Sequence, residues 1–217
     1  INAAVVGLGI GVHHANAIQQ NNYCRLTHIS DLDYKKTEKV KKDLEANYLK
    51  VTSFNELLSE NNLDMICLAT FDDQHFAQVV EGLKAGKHIF VEKPLCQTWD
   101  ELIEIKDVFI NSKCCLNSNL VLRTSDLFNH VGELISKGVL GEIYSFEADY
   151  LYGRINKLTN GWRKNVDNYS VMEGGGIHML DLMINLTMKK PVSVVSFANK
   201  FATKKTAFRY NDFHSSI

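Results

Sequence analysis

The sequence predicts an α/β protein: a doubly wound parallel sheet followed by an α+β domain with an open, mainly antiparallel sheet. Three observations carry that expectation. Short apolar strands alternate with amphipathic helices through the first half of the chain, the pattern of a parallel sheet covered on both faces. A glycine-rich turn, GLGIG at residues 7–11, separates the first strand from the first helix. Beyond about Arg123 the alternation gives way to longer alternating or β-branched stretches.

Taken in order, Ala3 to Val6 predicts a strand, Val12 to Gln20 a helix, and Arg25 to Ser30 a second strand that ends at Asp31 and Asp33. The rhythm continues with a helix over Lys35 to Ala46, a strand near Lys50 to Thr52 and a helix over Phe54 to Glu60. The apolar strand Met65 to Ala69, a helix over Gln74 to Ala85 and a strand over His88 to Val91 follow. The two prolines, Pro94 and Pro191, and the absence of repeats or low-complexity tracts make any boundary short and structured, and residues 117–124 are its candidate. The expected domains are therefore residues 1–122 and 123–217. In the second, Asp126 to Lys137 predicts a helix stopped by Gly138, Glu142 to Tyr152 and Val192 to Phe201 predict strands, and Ile177 to Leu186 a helix between them. Ala207 to Ile217 opens a further alternating pattern without a closing element, so the second domain is expected to be incomplete here.

Composition narrows the partners. The 217 residues are 45% hydrophobic and 23% charged, enough to bury a sizeable core. With 24 basic against 25 acidic side chains, nothing favours nucleic acid or an anionic membrane, and a small-molecule partner is expected instead. Five cysteines, Cys24, Cys67, Cys96, Cys114 and Cys115, show neither C-x-x-C spacing nor an even count, against a disulfide framework or zinc ribbon. Neither a signal peptide nor an apolar run long enough to span a bilayer is visible, and a cytoplasmic setting is expected.

Four motifs carry chemistry. In GLGIG, backbone N–H groups and the following helix N-terminus can receive a pyrophosphate, which makes Gly7, Gly9, Gly11 and Val12 cofactor candidates. The third glycine stands one position earlier than in G-x-G-x-x-G, and a plain strand-to-helix turn is the competing reading. Asp31 follows Gly7 by 24 residues at a strand end, where a carboxylate accepts from ribose hydroxyls and repels a 2′-phosphate, favouring NAD over NADP; initiation of the next helix is its competing role. VEKPL, residues 91–95, places Lys93 at the end of a parallel strand, able to exchange a proton with a substrate hydroxyl and oriented by Glu92. A solvated Glu–Lys pair before a turn proline is the other reading of that segment.

The third motif, VMEGGGIHMLDLM at 171–183, puts three glycines before His178 and Asp181 three residues later. Two such residues do not make a zinc site, so no metal is expected. The glycines suit close approach of substrate to backbone, with His178 as an acid/base group and Asp181 on the same helix face. A core histidine is the alternative. GWRKN, residues 161–165, offers Trp162 and Arg163 for a carboxylate or phosphate, with Tyr152 and Arg154 as similar candidates, against the reading of a surface loop packing one tryptophan.

GLGIG, Asp31, DMICLAT with His75 five residues after Thr70, GKHIFVEKPL, Arg123, GVLGEIYSF, GWRKN and GGGIHMLDL occur in an order that resembles the Gfo/Idh/MocA oxidoreductases across essentially the whole chain. The E-K-P of GKHIFVEKPL is the most specific element. The resemblance implies an N-terminal Rossmann domain, a C-terminal domain with an open antiparallel sheet, and nicotinamide-dependent redox chemistry on sugars, cyclitols or nucleotide sugars. Thr70 joins Glu92 and Lys93 among the cofactor candidates, as does His75, for which a structural role is the other reading, and Arg123 stands with Trp162, Arg163 and Asp181 as substrate candidates. Lys93 and His178 become the expected catalytic pair, and a homo-oligomer through the C-terminal sheet is expected. The sequence departs from the family in carrying Gly174 where many members have an aspartate four residues before the histidine. A non-catalytic NAD-responsive sensor on the same fold is the alternative from another functional class.

Overall fold

The computed structural model of the chain describes residues 1–166, 169, 171–201, 203–206 and, for the backbone alone, 213–216. It divides into two units, Ile1–Asn119 and Leu120–Ile217. The first contains β1 (Asn2–Val6), α1 (Gly11–Gln20), β2 (Arg25–Ser30), α2 (Tyr34–Asp43), β3 (Lys50–Val51) and α3 (Phe54–Ser59), followed by β4 (Met65–Leu68), α4 (His75–Lys84), β5 (His88–Val91), α5 (Trp99–Asn111) and β6 (Leu116–Ser118). All six strands are parallel, in the order β3-β2-β1-β4-β5-β6.

Side chains alternate across a strand, so β1 feeds two cores. Ala3 and Val5 pack with Ala15 and Ile18 of α1 and with Leu26 and Ile29 of β2. Ala4 and Val6 pack with Val79, Val80 and Leu83 of α4 and Ile105 of α5. Helices α1 and α4 therefore cover opposite faces of one sheet. Each fully buried aliphatic side chain contributes about 1.5–3 kcal/mol to holding them there.

Local chemistry sets the element ends. Helices α3 and α5 both start at capping boxes, Ser53 with Glu56 and Thr98 with Glu101. Ser53 N–H and the Thr52 and Ser53 hydroxyls donate to Glu56 and hold its carboxyl at about 2. The turn that follows α3 is fastened by a buried lysine: Lys87 Nζ donates to Glu60 O (2.6 Å) and Leu63 O (2.9 Å). Helix α5 and strand β6 escape the periodicity reading, yet T-W-D-E at 98–101 is the sequence signature of the α5 start.

His28 of β2 is buried beside Thr27, and desolvation lowers its pKa, with Glu60 opposing and Lys50 assisting. The unfolded chain therefore binds a proton at this site more readily than the folded one, so the stabilising contribution is complete above the unfolded value, about 6.5, and is lost as pH falls below it. The melting temperature is expected to fall between about pH 6.5 and pH 5, and His28→Leu to flatten that slope. An unchanged slope in the variant contradicts the assignment.

The second unit contains α6 (Asp126–Ser136), α7 (Ile155–Thr159), a π-helical turn at Met172–Gly176, α8 (Ile177–Thr187), and an antiparallel pair, β7 (Ser196–Asn199) with β8 (Phe213–Ser216). Gly132 of α6 lies against Leu186 of α8. The strand expected over Glu142 to Tyr152 is not formed: residues 141–150 have no regular structure, because a strand needs a neighbour in register and none lies alongside among the described residues. Of the stretch Ala207 to Ile217, positions 207–212 and 217 lie outside the described residues. Among the described residues no helix is long and apolar enough to cross a membrane.

Candidate functional site

Because the strands are parallel, the residues that follow them share one edge. Gly7 follows β1, Asp31 β2, Thr70 β4, Glu92 and Lys93 β5, and Asn119 β6. Strand order reverses between β1 and β4, which puts the glycine turn at the topological switch point, where open α/β sheets bind ligands.

The three glycines of the turn do three different things. Gly7 has φ +86°, and a Cβ there would overlap Ala69 O, so only glycine lets the chain turn this close to β4. Gly9 is open, with nothing within 4 Å of where a Cβ would stand. Gly11 is the first residue of α1, and its Cβ would come within 3.0 Å of Val5 and 3.1 Å of Ala69. The early third glycine thus brings the helix against the sheet, the task of the third glycine in the longer turn. Val12 packs onto the α1 core. Ile10, at the N-cap, gives no side-chain cap, and the first turn holds no acidic residue to compete with a bound anion. The turn fits a pyrophosphate.

Asp31 ties this turn to the end of β2. Its Oδ2 accepts from Leu8 N (2.6 Å), its Oδ1 accepts from Asp33 N (2.8 Å), and Lys36 Nζ stands 3.5 Å from Oδ1. Asp33 itself caps α2, accepting from Lys35 N, while Asp31 joins that helix start to the glycine turn through Asp33 N and Leu8 N. Thr70 Oγ1 donates to Gln78 Oε1 at 2.7 Å.

Around the E-K-P segment the structure adds two residues that the sequence reading did not assign to the site. His14, in the first turns of α1, donates from Nε2 to Glu92 Oε1 at 2.7 Å, and Asn119 Nδ2 donates to the same oxygen at 2.7 Å. Burial acts to raise the Glu92 carboxyl, but the bonds from His14 and Asn119 and the charges of His14 and Lys93 outweigh it, and the net pKa lies below the ordinary value. Glu92 is thereby held as a carboxylate. The Lys93–Pro94 peptide is cis. His75, with no exposed surface, donates from Nδ1 to Pro94 O at 2.7 Å.

In the second unit the triple glycine has an internal cause. A Cβ on Gly174 would overlap the Tyr169 hydroxyl, and one on Gly175 the Tyr150 ring. Tyrosines of the same unit occupy the space that the sequence reading reserved for substrate. The π turn that results leads directly into α8, where His178 is the second residue and half-buried. Asp181, 8% exposed, accepts from Arg123 Nε at 3.0 and 2.9 Å through its two oxygens and from Arg123 Nη2. That hydrogen bond raises the Arg123 pKa against the effect of burial. The two residues expected at a substrate are thus each other's partners. Arg163 lies over the Trp162 ring (4.3 Å) and near the Tyr169 ring (5.9 Å). Among the described residues no group of three or more His, Cys, Asp or Glu side chains could hold a metal ion.

A parallel sheet of this order, with a glycine turn at its switch point and a carboxylate closing the second strand, defines a dinucleotide-binding α/β protein. The chain belongs to the Gfo/Idh/MocA family: residues 1–120 match the oxidoreductase family with an NAD-binding Rossmann fold, and residues 128–214 match the GFO/IDH/MocA C-terminal domain. The 2,7-anhydro-N-acetylneuraminate hydratase of Escherichia coli is 24% identical over 228 residues, covering 98% of this chain and 56% of the relative. A scyllo-inositol dehydrogenase from Lactobacillus casei, whose structure holds NAD(H) and scyllo-inositol, superposes with a TM-score of 0.76 at 21% identity, covering 93% of this chain and 60% of that one. A Desulfitobacterium hafniense chain named for NADPH dependence reaches a TM-score of 0.86 at 22% identity, covering 100% and 62%. The chain spans about half the length of the curated relatives it matches.

Proposed function

We propose that the protein transfers a hydride between NAD and a hydroxyl-bearing carbon of a sugar, cyclitol or nucleotide sugar. The observation that carries this reading is Lys93 at the carboxyl edge of the sheet, beside the switch-point turn and flanked by a carboxylate kept ionised. Gly7, Gly9, Gly11 and Val12 hold the pyrophosphate, and Asp31, Thr70, Glu92 and Lys93 face the rest of the dinucleotide. Bound NAD supplies the hydride acceptor. Lys93 holds the substrate hydroxyl and, as the neutral amine, takes its one proton as the hydride leaves carbon for NAD and the C=O bond forms, with His178 as the second acid/base group. Trp162 and Arg163 are the substrate-side candidates, with Arg163 pre-oriented by its stacking. The inositol and acylneuraminate names among the relatives support a polyhydroxylated substrate. The five cysteines carry no disulfide, which fits a reducing cytosol, and exposed Val192, Val194, Val195 and Phe197 offer a surface for self-association.

NADH formation by the full chain with a panel of cyclitols, aldoses and UDP-sugars tests the reading, and absence of turnover with every class contradicts it. A second reading follows from the hydratase name among the relatives: addition or removal of water, with product formed and no net NADH. Product analysis in the same assay separates the two.

Asp31 sets the cofactor expectation. Its carboxylate opposes a 2′-phosphate, and Lys36 at 3.5 Å offsets only part of that charge. Calorimetric titration is expected to give NAD an affinity about tenfold or more above that of NADP, with the gap closing in Asp31→Ser. Equal affinities in the unaltered protein contradict the assignment.

A further inference from the structure

Lys93 lies between two residues gripped from opposite faces of the sheet. Before it, Glu92 Oε1 receives His14 Nε2 and Asn119 Nδ2, and the His14 ring also meets Phe90 edge-on with centroids 5.3 Å apart. Helix α1 therefore holds Phe90 of β5 and Glu92 just beyond the strand, both ahead of the lysine. After it, Pro94 O receives His75 Nδ1 from the first residue of α4. A carbonyl oxygen only accepts, so the hydrogen resides on Nδ1, and the imidazole is committed to this one loop. Helices α1 and α4 pack into the two separate cores, so the grips are mechanically independent. Neither histidine is spent on capping its own helix.

We propose that His14 and His75 are positioning residues for Lys93, fixing the peptide units on either side of it so that its amino group is presented to the substrate hydroxyl. The proposal rests on the reading of Lys93 as the proton-transfer group. Proton transfer needs heavy atoms within about 2.6–3.2 Å, and a displacement of about 1 Å can cost about 10²-fold in rate. Strand pairing adjoins the same segment, where Glu92 N donates to Leu68 O and Asn119 N to Val91 O, each at 2.8 Å. The two side-chain grips extend that hold to both sides of the lysine.

The test uses the full chain with His14→Leu, His14→Gln, His75→Leu, His75→Asn and Lys93→Met. Glutamine returns a donor at the place of Nε2, and asparagine returns one at the place of Nδ1. Crystal structures of the leucine variants are expected to show the Lys93 side chain moved by about 1 Å or more, and those of the amide variants to show it restored. With the panel compound that the unaltered chain oxidises fastest, each leucine variant is expected to lose about 10–100-fold in kcat with KM for NAD nearly unchanged, and each amide variant to recover most of it. Combining a leucine change with Lys93→Met is expected to cost no more than Lys93→Met alone. Lys93 unmoved in both leucine variants overturns the proposal, as does equal loss in leucine and amide variants. If His75→Leu does not fold, His75→Asn against His75→Gln decides, since glutamine carries its donor one bond too far. An unimpaired Lys93→Met instead removes the reading of Lys93 itself, a result distinct from failure of the histidine variants.

Discussion

Lys93→Met is expected to lower the rate of hydride transfer by about 10²–10⁴-fold while NAD affinity stays near its unaltered value. Methionine keeps the length of the side chain and removes the charge and donors, so what is lost is the interaction with the substrate hydroxyl. Glu92 retains its bonds from His14 and Asn119, which do not involve the lysine, and the local fold therefore survives. His178→Ala is expected to lose less, because Lys93 both holds the hydroxyl and exchanges its proton. Single-turnover NADH formation at saturating substrate reads the step directly. A variant of either residue with an unimpaired rate leaves the mechanism.

Gly7→Ala and Gly9→Ala are expected to fail in different ways, although they stand two residues apart in one turn. At Gly7 an added Cβ meets Ala69 O and the backbone sits at φ +86°, so the substitution combines a left-handed penalty of about 1–2 kcal/mol with overpacking of about 1–3 kcal/mol. For a chain of this size that is a loss of about 10 °C in Tm. At Gly9 the Cβ enters open space, so stability is expected to hold while NAD affinity falls on the order of tenfold, as the methyl group takes up room over the turn. Thermal melting paired with NAD titration checks both. Equal melting temperatures for the two variants contradict the division of roles.

What the sequence made legible follows the range of the interactions. Strands β1 to β5 and helices α1 to α4 were readable because alternation and helical periodicity are local, and because Lys93 and Asp31 sit at strand ends that the pattern itself marks. Strand pairing is not local: Glu142 to Tyr152 alternates as a strand would, yet forms none, because alternation says nothing about a partner in register. The same limit hid His14. Its bond to Glu92 joins residues 78 apart in sequence, and nothing near His14 signals it. Arg123 and Asp181 were found individually, but their pairing, 58 residues apart, was not. The glycines before His178 invite a ligand-binding reading until Tyr150 and Tyr169 are seen against them, a fact of packing rather than of composition.

The central claim, that a hydride passes between a hydroxyl-bearing carbon and nicotinamide under the control of Lys93, is tested most directly by isotope transfer. The full chain is incubated with NAD and a cyclitol or sugar from the active class, deuterated at its carbinol carbons, and the reduced cofactor is examined by mass spectrometry. Deuterium on the nicotinamide ring, formed by the unaltered protein and strongly slowed in Lys93→Met, is the predicted result. Conversion of the compound with no deuterium ever reaching nicotinamide, in protein that binds NAD, contradicts the account.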